Sequence, residues 1–363
     1  MKDELRHPGC FLGAQTPFGY IHHADDVSVL PGRSCIALDL LPEDVLDRTL
    51  RRLAVRMEQE GRAFLPLLSP HRPEQIEGLL LPREELLILG AEQLHDRMSR
   101  DCARRIVPEE ALIAPPEDPE ALRQLFCRQE EALLQAEIFL RIAGTAAELC
   151  RSIVRLGIDE RKIHRLAEKI CRQELPGESQ SGHAPRREER FLTSISGDGQ
   201  HICDCSGWAD RLYLLEDAHS AFAPDLLEQV EEAAHSHGYD TVVCRCPLAP
   251  FSRIEHLFLP ELSLGFVTSN NSHTMPVEPF RVINSRRFTS PQHLRRVKEQ
   301  LLQNKHIQRQ TLLSACRYLH RAEEIMEELQ ALTAVRSADP DQAAERLADR
   351  VWEVMPAPKP ERR

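Results

Sequence analysis

Apolar residues along this chain fall into two patterns: short unbroken runs, and long seams with apolar positions three and four apart. "CIAL" at 35–38 and "LYLL" at 212–215 are runs of the first kind. Each leads into an amphipathic stretch, 43–60 and 224–237, and then a glycine, Gly61 or Gly238. Second apolar runs follow at 63–68 and 240–245, then an "IE-x-L-x-L-P" segment, then a further run at 86–90 and 262–267. The order predicts strand, helix, strand, segment, strand in each half, an α/β arrangement with a mostly parallel sheet covered by helices. The seams come next. Leu133, Ala136, Leu140, Ala143, Ala147 and Cys150 are matched by Leu312, Ala315, Leu319, Ala322, Met326 and Leu329, both stepping 3-4-3-4-3. That spacing belongs to a helix packed on another, and it predicts a long helical hairpin closing each half. "DPEAL" at 118, "SPQHL" at 290 and "DPDQA" at 339 each place a capping residue before a proline, which marks helix starts.

The matches run in the same order at an offset of about 180 residues, so the chain reads as a duplication. "CFLGAQTPFGYI" (10–21) pairs with "RFLTSISGDGQHI" (190–202), and "IEGLLLPREELLIL" (76–89) with "IEHLFLPELSLGFV" (254–267). The expected division is a first repeat over 1–175, a polar Pro/Gly/Ser-rich linker over 176–190, a second repeat over 191–355 and a disordered tail over 356–363. A length of 363 residues suits two such units.

Composition narrows the class. The net charge of -11 argues against nucleic acid, whose phosphates need a basic stripe. No apolar run reaches the length of about 18 residues needed for a membrane span. Eleven cysteines, an odd number in a long chain without a secretory leader pattern, suggest reduced thiols and a cytoplasmic location.

The segment "CPLAPFSRIEHLFLPELSLGFVTSN" (246–270), its weaker copy "SPHRPEQIEGLLLPREELLIL" (69–89) and the paired hairpins resemble a group of uncharacterised bacterial ATPase-like proteins. These are built from two tandem P-loop NTPase-like halves. The resemblance implies a Walker A loop, G-x-x-x-x-G-K-[ST], after the first strand of each half. Here the lysine and hydroxyl positions carry Leu46 and Asp47 in the first half, Ala223 and Pro224 in the second. The glycine positions carry Leu40 and Val45, Asp217 and Phe222. A phosphate cradle needs glycines so that backbone N–H groups can turn inward, and a lysine for the terminal phosphates. Pro42 and Pro224 remove N–H groups, and Asp39, Glu43, Asp44 and Asp47 add negative charge. Such carboxylates complement a helix N-terminus by themselves, so the loops read as structural turns. A Walker B carboxylate is missing from "LLILGAE" and "LGFVTSN", with Glu92 nearby in a surface loop.

Two further groups stand out. His201, Cys203 and Cys205 fall at alternate positions of "HICDC", and Cys244 and Cys246 do so in "CRC". Thiolate and imidazole suit zinc, but the spacing is not the usual C-x₂₋₄-C, and buried cysteines are common core residues. His22, His23, His235 and His237 read as surface or helix-end residues, and "TSNNSH" (268–273) as a polar loop after a strand, where open α/β sheets hold ligands.

Three functions follow in order. The first is a non-catalytic, degenerate tandem P-loop NTPase-like protein with no cofactor, acting through binding or assembly. Its helical hairpins are the candidate surface for a protein partner or self-association, the second carrying Arg295, Arg296, Lys298 and Lys305. The second is an ATPase or phosphotransferase that holds ATP and magnesium in a site of another kind. The third is a metal- or redox-responsive protein using the C-x-C pairs.

Overall fold

A computed structural model describes residues 9–110, 112–113, 118–333 and 339–358. The expected tail over 356–363 therefore lies mostly outside the described residues. The first repeat opens with strands β1 (Gly13–Thr16) and β2 (Gly19–His22) and a short helix α1 (Ala24–Ser28). It continues with β3 (Ser34–Leu38), α2 (Glu43–Gln59), β4 (Leu65–Leu68), β5 (Ile76–Leu81) and β6 (Leu86–Gly90). Then come α3 (Arg97–Cys102), β7 (Arg104–Ile106), the 37-residue α4 (Pro119–Arg155) and α5 (Glu160–Glu174). The second repeat opens with β8 (Arg187–Arg190), β9 (Thr193–Ser196), β10 (Gly199–Ile202), β11 (Arg211–Glu216) and α6 (Ala223–Ser236). It closes with β12 (Thr241–Arg245), β13 (Ile254–Leu259), β14 (Leu264–Ser269), β15 (Arg281–Asn284), the 43-residue α7 (Pro291–Thr333) and α8 (Pro340–Val354).

Both sheets carry one topology. The first runs β4-β5-β6-β3-β7, and the second runs β12-β13-β14-β11-β15 with β8 added beyond β12. In each, the central strand (β3 or β11) is parallel to both neighbours, while the "IE-x-L-x-L-P" strand (β5 or β13) is antiparallel to both of its own. Register shifts fall at matching places, between Leu67 and Leu68 and between Cys244 and Arg245. Even the bridge from Cys10 to Leu67 has its counterpart in Arg190 beside Cys244. The expected mostly parallel sheet is corrected here to a mixed one. The "IE-x-L-x-L-P" segment is a strand buried along its whole length, and its antiparallel turns into β4 and β6 are too short for a crossover helix.

The compact units are not contiguous stretches of sequence. One gathers 1–13, 22–133 and 319–363, and the other 14–21 and 134–318. This differs from a cut at 176–190, because each short closing helix lies in the unit built on the other repeat's sheet. In the first unit, Ala344, Leu347, Ala348 and Val351 of α8 share a core with Leu46, Leu50, Leu53 and Met57 of α2 and with Ile36 and Ile88 of the sheet. In the second, Ile163, Ala167 and Ile170 of α5 pack among Leu226, Leu227 and Val230 of α6 and among Tyr213 and Phe266. α5 and α8 have strongly one-sided apolar faces, and those faces are covered by α6 and α2.

The α2–α8 register is also written in charge. Arg48 and Arg52 reach Asp341, Arg52 and Arg56 reach Glu345, and Arg56 reaches Asp349, at distances of 2.7–3.0 Å. Each of these exposed pairs adds little, but three arginines and three carboxylates at four-residue spacing select one alignment of the helices.

Leu347→Ala is expected to destabilise the first unit by about 2–5 kcal/mol, the usual cost of emptying a buried leucine site. Hydrogen exchange should then quicken across 43–59 and 76–90 while 223–236 keeps its protection. Quickening confined to 223–236 would contradict the exchange of closing helices.

Candidate functional site

The loop between β11 and α6 occupies the place where the sequence raised the question of phosphate. Its first residue, Asp217, is 1% exposed. The Oδ2 atom of Asp217 accepts the backbone N–H groups of Phe222 and Ala223 at 2.7 and 2.9 Å. Those are donors at the start of α6, the groups that a helix N-terminus offers an anion. The anion is supplied here by the loop itself. Ser220 turns the loop with a φ of 50°, in the left-handed region that favours glycine. Ala223 and Pro224, at the lysine and hydroxyl positions, are buried in the first turn. Asp225 follows, taking hydrogen bonds from Arg151 at 3.2 Å and Arg155 at 2.8 Å.

The corresponding loop of the first unit is closed differently. Leu46 lies in the core, and Asp47 accepts the Ile76 N–H at 2.8 Å and the Arg51 guanidinium, tying α2 to β5. Asp39 is paired with Arg105. Glu92 is exposed, as expected of a surface-loop glutamate. Its carboxyl is nonetheless pushed up to about 7 by burial and by the charges of Glu43, Glu77 and Asp39. His22 and His23, expected at the surface, are instead largely covered, the His22 side chain being 5% exposed and 3.9 Å from Glu77. Burial lowers the His22 pKa to about 4, with Asp25 and Gln93 opposing. His237 does end its helix, its Nδ1 lying 2.7 Å from the Ala233 carbonyl.

The five residues of the C-x-C reading do not gather. His201 sits on β10 with Nε2 2.9 Å from the Ser196 hydroxyl, while Cys203, Cys205, Cys244 and Cys246 are all buried. Burial pushes the Cys205 and Cys246 thiols up to about 12, with Asp204 and Glu255 adding to it, so both are thiols and not thiolates. Among the described residues, the group of side chains whose metal-ligating atoms converge is another one: Glu255, His256 and His273.

Glu255 also lines a small cleft in the second unit, together with residues that include Ser220, Asn270, Asn271, Ser272 and Lys305. The "TSNNSH" loop thus borders a cavity at the ends of β11 and β14. Glu255 is 4% exposed and His256 is fully buried. Thr193 donates its hydroxyl to Glu255 Oε2 at 3.0 Å, and His256 Nε2 lies 3.6 Å from the same oxygen. Burial alone would raise the Glu255 pKa, but His273, His256 and Thr193 outweigh it and hold the carboxyl at about 2. Burial lowers His256, which keeps that ring neutral. No sequence spacing announces this group, because Glu255 and His256 lie on a strand and His273 on a loop beyond the next one. The first unit cannot copy it. Gly78 stands where His256 stands, and a Cβ there would come within 2.8 Å of the Ile88 carbonyl oxygen.

No protein-family model and no solved structure matches this chain. A stretch of 47 residues, 12% of the chain, is 43% identical to an uncharacterized ORF2 protein of Torque teno sus virus 1. The match spans 64% of that protein, just under two thirds of its length. No helix among the described residues is long and apolar enough to cross a membrane.

Two outcomes follow from this geometry. Asp217→Ala removes a buried acceptor from two N–H groups and should cost about 1–2 kcal/mol in chemical denaturation, Asp217→Asn costing less. Unchanged stability would mean that the carboxylate does not hold the turn. His22, lowered when folded, stays neutral to about pH 4 while the unfolded chain takes up its proton near 6.5. Its contribution is therefore full above pH 6.5 and lost as the pH falls through 4. The urea midpoint should drop more steeply over that window in the wild type than in His22→Gln.

Proposed function

We propose that this chain is a non-catalytic, degenerate tandem P-loop NTPase-like protein that works by binding or assembly and not by nucleotide turnover. The observation that carries this reading is the Asp217 carboxylate on the N–H groups of Phe222 and Ala223, where a phosphate would lie. A triphosphate would have to displace a buried, hydrogen-bonded side chain, and no lysine at position 223 repays that loss. Its charge would also meet that of Asp217. Two like charges about 4 Å apart repel by about 4 kcal/mol at an effective dielectric near 20, or about a thousandfold in affinity. In the first unit the position is taken by Leu46, which belongs to the core.

Assembly is supported by the outer face of α4. Leu134, Ile138, Ile142 and Leu149 are 58%, 46%, 42% and 48% exposed, and their four- and seven-residue spacing lines them along one stripe. The resemblance to bacterial ATPase-like proteins, the repeated sheet topology and the strand–loop–helix order fit this reading. A cytoplasmic location fits the many free cysteines.

Calorimetric titration with ATP or GTP and magnesium should give no heat of binding, and phosphate release should stay at the buffer rate. Micromolar affinity, or turnover that disappears when Asp217 and Ser220 are replaced, would return the protein to the working ATPases.

A further inference from the structure

We propose that Glu255 and His273 bind one divalent transition-metal ion of the zinc class beside the second unit's cleft, with His256 facing the carboxylate. The argument begins with hydrogens. His273 Nε2 lies 2.9 Å from the Thr268 carbonyl oxygen, which can only accept, so Nε2 carries the proton. The other ring nitrogen, Nδ1, has no hydrogen-bond partner and lies 3.9 Å from Glu255 Oε1. Nδ1 of His273 therefore faces a carboxylate oxygen inside the protein. A buried nitrogen and a carboxylate oxygen that face each other without a hydrogen bond are the kind of pair a cation can bridge. An imidazole fixed by a backbone carbonyl through one nitrogen and free at the other is also how metal-binding histidines are usually held.

The neighbours assign the remaining roles. His256 Nδ1 accepts the Thr268 N–H at 3.1 Å, so its proton is on Nε2, which points to Glu255 Oε2. His256 thus turns an N–H toward the carboxylate at 3.6 Å, too long for a hydrogen bond, and has no lone pair to offer an ion. With the Thr193 hydroxyl on Oε2, the free oxygen is Oε1, on the His273 side. Arg253, which also lines the cleft, hydrogen-bonds Glu148 at 2.9 Å and the Cys246 sulfur at 3.6 Å. Bonds from zinc to nitrogen and oxygen are about 2.0–2.2 Å, so one ion fits between atoms 3.9 Å apart after a shift of a few tenths of an ångström. A nitrogen–carboxylate pair selects zinc and its transition-metal neighbours over calcium and magnesium, which take oxygen ligands. Glu255 lines the cleft, which gives the ion an entry path and leaves its other coordination positions to water or to a small ligand.

The experiment uses the full chain, stripped with a chelator and titrated with zinc or cobalt(II). The expected result is one ion retained per chain by elemental analysis after gel filtration, with a rise in melting temperature. Glu255→Gln and His273→Ala should each weaken retention at least a hundredfold, and His256→Gln about tenfold, as for a residue behind a ligand. Cys203→Ser and Cys246→Ser should leave it unchanged. Cobalt in the wild type should show no thiolate charge-transfer band, a readout that stands even if a variant fails to fold. Absence of retained metal, a thiolate band, or binding that survives both Glu255→Gln and His273→Ala would overturn the proposal. So would an NMR signature of doubly protonated His273 that zinc does not change, since a proton would then fill the gap.

Discussion

Both units depend on covering the one-sided helix that follows the central strand. α2 and α6 lie on their sheets with one flank, and each has a second apolar flank that must leave water. At roughly 25 cal/mol per Å² of apolar area, leaving it open would cost several kcal/mol. The cover is the last helix of the opposite repeat, α8 on α2 and α5 on α6. Each repeat therefore lacks a piece that its partner repeat supplies, which ties the duplication together as one chain.

On this shared topology the turns after the two central strands are held in different ways. In the second unit the Asp217 carboxylate accepts the first N–H groups of α6, so those donors are satisfied within the loop. In the first unit Leu46 lies in the core, and its neighbour Asp47 braces α2 to β5. Either arrangement holds the turn, because a helix start needs an acceptor or a packed first turn and not a ligand.

The strand that corrects the sheet also divides the two halves. β5 and β13 both begin with isoleucine and a buried glutamate, Glu77 and Glu255. At the next position the first unit has Gly78, pressed against the Ile88 carbonyl, and the second has His256. A single position thus separates a closed backbone contact from a buried polar group beside the cleft. Glu77 is raised well above the ordinary carboxylate range by burial and by Glu43, whereas Glu255 is held at about 2 by its histidines. The same residue in the same register is pushed in opposite directions by its neighbours.

The sequence by itself determined the repeat, the strand–helix–strand order and the helix starts, because these are local: periodicity, a capping aspartate or serine, a proline in the first turn. Asp118 and Asp339 accept the N–H groups that the "DPEAL" and "DPDQA" patterns imply. The sequence also showed that the turns after the first strand of each half carry neither the glycines nor the lysine of a phosphate cradle, since those requirements attach to fixed positions. Only the tertiary structure decided which sheet each closing helix covers, because an apolar helix face carries no address beyond its charge ladder. It alone showed that β5 and β13 are antiparallel, since a run buried on both faces reads the same in either direction. It alone moved the polar site from the cysteines to Glu255, His256 and His273. Alternation along one strand places residues on one side of it, but convergence depends on what the neighbouring strand and the loop beyond it bring to the same point.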